Sequence, residues 1–78
     1  MLITLSFITK TKQYDFQVNP EQRIIDVLQT IHENSDMKIE MHQRSYIRSV
    51  RKQEMVNTLM TFHQANIFPG DKLILEEL

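Results

Sequence analysis

Three histidines, scattered carboxylates and a short run of cations are the residues of this 78-residue chain that could do chemistry. His32, His42 and His63 stand ten and twenty-one residues apart. That is far from the H-E-x-x-H spacing that sets two imidazoles on one helical face around zinc. They read as surface or loop histidines. Cysteine is absent, so neither a thiolate zinc site nor a disulfide framework can form. A single glycine rules out a Gly-rich phosphate loop. Asp15, Asp26 and Asp36 read as solvated, and Asp71 as a turn residue. No catalytic residue, metal ligand or cofactor is expected, and the chain does not read as an enzyme.

Arg44, Arg48, Arg51 and Lys52 form the one basic group, and it has two readings. A strand and its turn can carry solvated cations, some of them paired with carboxylates. Alternatively the group is a recognition surface, since Tyr46 beside Arg48 is the kind of aromatic and arginine pair that anchors interfaces. The second reading makes Tyr46, Arg48, Arg51 and Lys52 candidate protein-binding residues. Nine basic against ten acidic residues leave a net charge of −1, so nucleic acid is not the expected partner. The five methionines include Met37, Met41, Met55 and Met60. Filling gaps in a small core is the favoured account of these four, and an adaptable apolar binding surface the other.

The elements that must position these residues follow from periodicity. Ile3, Leu5 and Phe7 alternate with Thr4 and Ser6, and Tyr14, Phe16 and Val18 alternate with Asp15 and Gln17. Period two with β-branched and aromatic residues marks half-buried strands. The polar "TKTK" at 9–12 joins them as an antiparallel hairpin. "NPEQ" then offers Asn19 as a helix cap, Pro20 at the first helical position and Gln22 to complete a capping box. Ile24, Ile25, Val27, Leu28 and Ile31 follow at helical spacing, predicting a helix over 22–34. Residues 35–45 are open between a short extended piece and a loop that tucks methionines under the helix. "YIRSVRK" at 46–52 predicts a third strand with Ile47 inward and Tyr46 and Arg48 outward. "QEMV" predicts a turn and a short strand around Met55 and Val56. Leu59, Phe62 and Ile67 suit a helical turn and a loop. Phe68-Pro69-Gly70-Asp71 fits a type II turn, with the sole glycine where φ must be positive. Leu73 and Leu75 then alternate with Lys72 and Ile74 in a last strand, expected in the middle of the sheet.

Seventy-eight residues make one domain, 1–78, with a small core. The order of elements predicts an α+β class, a β-grasp (ubiquitin-like) fold: a mixed four- to five-stranded sheet with one main helix across one face. "MLITLSFITKTK" lacks the basic start and cleavage site of a signal peptide, and no apolar run approaches the ~18 residues of a membrane span. A soluble, intracellular, unprocessed protein is expected.

"FQV" before a proline, the helix residues Ile24, Val27 and Ile31, and "NI" followed by "LIL" resemble ubiquitin in spacing. "YIRSVRK" followed by Ile67, Gly70, Asp71, Leu73 and Leu75 resembles more closely the small ubiquitin-like proteins YukD and EsaB, which are associated with type VII (ESX-like) secretion in Gram-positive bacteria. The first strand and residues 35–45 carry no pattern of that family. The resemblance implies a non-conjugated accessory or regulatory component of such a secretion system, working in the cytoplasm as a protein–protein interaction module. Its partner would be a membrane-anchored secretion component or a secreted substrate, which would recruit it to the inner face of the membrane without insertion. A monomer or weak homodimer is expected. In ubiquitin and the sulfur carriers a flexible tail ending in two glycines is adenylated and transferred, whereas this sequence stops at Glu76-Glu77-Leu78. Conjugation and sulfur transfer are therefore not expected. Arg48 falls where ubiquitin carries part of its apolar docking patch, so common ubiquitin receptors are not expected to bind. The alternative function is a β-grasp adaptor in an unrelated pathway.

Overall fold

A computed structural model of the chain describes residues 1–37 and 45–75. Six elements follow one another: β1 (Ile3–Ile8), β2 (Gln13–Val18), α1 (Ile24–Asn34), β3 (Tyr46–Ser49), β4 (Glu54–Asn57) and β5 (Lys72–Ile74). The five strands lie in the order β2-β1-β5-β3-β4, with β1 and β5 parallel and every other pair antiparallel. This is the expected α+β β-grasp sheet, and the last strand occupies its centre.

Alternation decides which face of the sheet is covered. Ile3, Leu5, Phe7, Val18, Ile47, Val56 and Leu73 are buried on one side, and α1 adds Ile24, Val27, Leu28 and Ile31 to the same core. The helix is amphipathic with a single apolar stripe, so it is stable where that stripe meets the sheet. Met37, Phe62, Ala65 and Ile67 close the remaining sides.

The start of the helix differs from the capping pattern in the sequence. α1 begins at Ile24, its N-cap is Arg23, and no side chain caps it. Asn19 instead closes its own turn: its Oδ1 accepts the Glu21 N–H at 3.0 Å and its carbonyl accepts the Gln22 N–H. The reason is tertiary. The N–H groups of Ile24 and Ile25, which a capping side chain would otherwise serve, donate to the carbonyls of Met60 and Thr58 at 2.9 Å each. Backbone from the chain after β4 does the work of a cap.

The third strand is shorter than "YIRSVRK" suggested. It stops at Ser49, and residues 50–53 turn, with Gln53 at φ 55°. Gly70 stands at φ 88° in the Phe68–Asp71 turn, closed by the Asp71 N–H donating to the Phe68 carbonyl at 3.0 Å, as the type II assignment requires. The methionines divide. Met37 is fully buried, but Met55 and Met60 are exposed, because β4 points Val56 inward and so turns Met55 out. Leu59 is exposed as well, so of the three apolar residues assigned to that stretch only Phe62 and Ile67 reach the core. Met41, His42, Arg44 and the terminal Glu76-Glu77-Leu78 lie outside the described residues. No helix among the described residues is long and apolar enough to cross a membrane.

Candidate functional site: the outer face of the sheet

The helix covers one face of the sheet, and strand pairing sets what stands on the other. Ile8 lies beside Ile74, Ile74 beside Arg48, and Arg48 beside Met55, one cross-strand row over β1, β5, β3 and β4. Tyr46, two residues before Arg48 and paired with Asn57, projects from the same face. Next to the row, Ser6 pairs with Lys72 on one side and Asp15 on the other. Tyr46 and Met55 are 55% and 48% exposed, large values for residues fixed on a paired strand. The result is an apolar strip with Arg48 and Lys72 as its cations and Asp15 at its β2 border.

Asp15 is held as a carboxylate. The Ser6 hydroxyl donates to its Oδ1 at 2.7 Å and the Gln13 amide at 3.2 Å. These hydrogen bonds, the Ser6 one foremost, hold its pKa below the ordinary aspartate value, with Lys72 adding a smaller attraction against a slight desolvation.

The candidate residues of the basic group part company at Ser49. Tyr46 and Arg48 stand together on the outer face. Arg51 and Lys52 follow the chain round the turn and engage the loop before β5. The Arg51 Nε donates to both oxygens of Asp71, at 2.9 and 3.1 Å, and its Nη2 donates to the Asn66 carbonyl. Its guanidinium also lies 4.6 Å from the centre of the Phe68 ring. Lys52 Nζ donates to the Ala65 carbonyl at 2.7 Å and pairs with Glu54 at 3.1 Å. Asp71 is only 6% exposed and accepts the Phe68 N–H besides, so a buried carboxylate is matched by two donors, the Arg51 Nε–H shared between its oxygens and the Phe68 N–H. The turn carrying Arg51 is thus fastened to the turn carrying Gly70.

The sequence named Tyr46 and Arg48 but did not place Ile8, Ile74, Met55 and Lys72 beside them. Alternation within each strand shows which residues share a face; only the pairing register says which strands are neighbours. Among the described residues no three His, Asp or Glu converge as metal ligands. His63 pairs with Glu21 at 2.8 Å on the surface and ties the 19–22 turn to the segment after β4.

Solved structures with the same fold are ubiquitin-like. The chain superposes on the ubiquitin-like domain of Plasmodium falciparum Dsk2 with TM-score 0.65 and 16% identity, over 95% of this chain and 97% of that one. It superposes on the ubiquitin of Caldiarchaeum subterraneum with TM-score 0.73 and 12% identity, over 100% and 95%. The C-terminal ubiquitin-like domain of mouse tubulin-specific chaperone e gives 0.70 and 14%, over 99% and 87%. No protein-family model and no curated protein matches the chain. The shared property is the fold.

Proposed function

We propose that this β-grasp domain is a protein-binding module whose contact surface is the outer face of the sheet. Tyr46 and Arg48 are its anchors, Met55 and Ile74 its apolar flanks, and Arg51 and Lys52 its border. The observation that carries this reading is the row Ile74–Arg48–Met55 with Tyr46 beside it, an exposed aromatic and an exposed methionine flanking a half-buried arginine on a rigid sheet. Those residue types dominate the energy of interfaces, and a paired strand holds them with little entropy left to lose.

The finer reading is a non-conjugated accessory component of a type VII secretion system. It acts in the cytoplasm on a membrane-anchored component or a secreted substrate. This rests on the resemblance of "YIRSVRK" and the Ile67–Gly70-Asp71–Leu73–Leu75 pattern to the YukD and EsaB proteins. Two measurements separate the levels. Tyr46→Ala with Arg48→Glu is expected to abolish capture of partner proteins from the native cell while leaving the thermal midpoint within a few degrees; undiminished capture sinks the binding face. Deletion of the gene is expected to stop secretion of the small helical substrates of such a system. Unimpaired secretion, with capture still dependent on Tyr46 and Arg48, leaves an adaptor of another pathway.

A further inference from the structure

β2 ends the sheet on one side, and among the described residues no strand pairs with its outer edge. Hydrogen bonds on β1 show which of its backbone groups face outward. The Ser6 N–H donates to the Asp71 carbonyl, and the carbonyls of Thr4 and Ile8 accept from Gly70 and Leu75, so these residues spend their backbone groups towards β5. Ile3, Leu5 and Phe7 then turn theirs to β2, where they face Val18, Phe16 and Tyr14. That leaves Gln13, Asp15 and Gln17 with N–H and C=O groups directed away from the sheet, a template for a further strand. Beside this edge a groove of about 370 Å³ runs between β2 and α1, with Phe16, Val18, Val27 and Ile31 in its lining and Leu2 exposed at its rim. No residue lining it carries a charge.

We infer that this edge pairs with a second copy of the chain, β2 antiparallel to β2 about a two-fold axis at Phe16, so that two sheets become one. The register singles out this arrangement. Residues opposite each other in an antiparallel pair share a face, so the axis must fall on one residue facing its own copy. An axis at Asp15 sets two carboxylates against each other, which is unfavourable. An axis at Tyr14 pairs only the start of the strand and crowds Lys12, whose ammonium lies 4.7 Å over the Tyr14 ring, against the Phe16 of the second copy. The axis at Phe16 pairs residues 14–18, all of the strand but its first residue. It puts Phe16 on Phe16, Tyr14 opposite Val18, and Asp15 opposite Gln17. Asp15 Oδ1 already accepts from Ser6 and Gln13, and Oδ2 is left to accept the Gln17 amide of the second copy. The two grooves meet beside the axis, and because neither is charged no like charges oppose their closing.

Sedimentation equilibrium of the full chain from micromolar to millimolar concentration is expected to show a monomer–dimer equilibrium. Exchange of the Asp15 and Gln17 amides should slow as concentration rises. Gln17→Asp gathers four carboxylates round the axis and should weaken the dimer about tenfold, while Gln17→Lys faces Asp15 and should strengthen it by a similar factor. Gln17 is exposed in the single chain, so both variants keep the fold, which circular dichroism verifies. A chain that stays monomeric at millimolar concentration overturns the inference. So do dissociation constants unmoved by either variant, and so does a monomer whose β2 edge takes up only a foreign, uncharged strand peptide.

Discussion

Asp15 shows how much a single carboxylate on an open face can be shaped by its neighbours. Two hydrogen bonds to Oδ1 favour the ionised form in the folded chain, and nothing equivalent exists once the chain unfolds. The folded pKa therefore lies below the unfolded one. The stabilisation is complete above the unfolded value and is lost as pH falls through the folded value. A carboxyl carbon titration by NMR is expected to place the Asp15 midpoint on the acid side of the ordinary aspartate range. Ser6→Ala should move it upward, since the Ser6 bond is the first cause; a midpoint indifferent to Ser6 would discard this account. Gly70 is the complementary case, because no atom beyond its two chain neighbours lies within 4 Å of where its Cβ would stand, so only the positive φ selects glycine.

Among elements, the turn between β3 and β4 is secured by what Arg51 reaches as well as by its own bonds, from the Gln53 and Lys52 N–H groups to Ser49. Asp71 gathers the Arg51 guanidinium and the Phe68 N–H into one buried cluster, joining the β3–β4 turn to the loop entering β5. Removing the cation leaves a nearly buried carboxylate with a single backbone donor. Arg51→Met is expected to cost about 1–3 kcal/mol in urea unfolding. Arg51→Lys should recover only part, because an ammonium cannot reproduce the planar fork on Asp71 and the Asn66 carbonyl. An unchanged midpoint in Arg51→Met would mean the cluster fastens nothing. The helix start teaches the same lesson. "NPEQ" was legible as a turn followed by a helix, but the cap was not, since the acceptors at Thr58 and Met60 are more than thirty residues away in sequence.

For the whole molecule, the small core leaves little surplus. A domain of 78 residues has a stability of roughly 4–12 kcal/mol. Phe62 is fully buried against the helix and sheet although it belongs to no strand or helix. Phe62→Ala is expected to cost about 3–5 kcal/mol, a large fraction of that total. A loss below about 1 kcal/mol would show that residues 58–67 are an ornament and not the third wall of the core.

Local sequence pattern by itself determined the hairpin, the apolar stripe of the helix, the inward sets of β1, β2, β3 and β5 and, through turn chemistry, the glycine of the last turn. All of these depend on interactions within a few residues, where spacing along the chain is spacing in space. It also picked out Tyr46 and Arg48 as facing away from the core. Tertiary structure alone decided that Arg48 stands between Ile74 and Met55, that Arg51 serves Asp71, that backbone caps the helix, and that Met55 is outside while Met37 is inside. Each of those is a meeting of residues distant in sequence, and the identity of a neighbour across a sheet is fixed by register and strand order, which no local pattern carries.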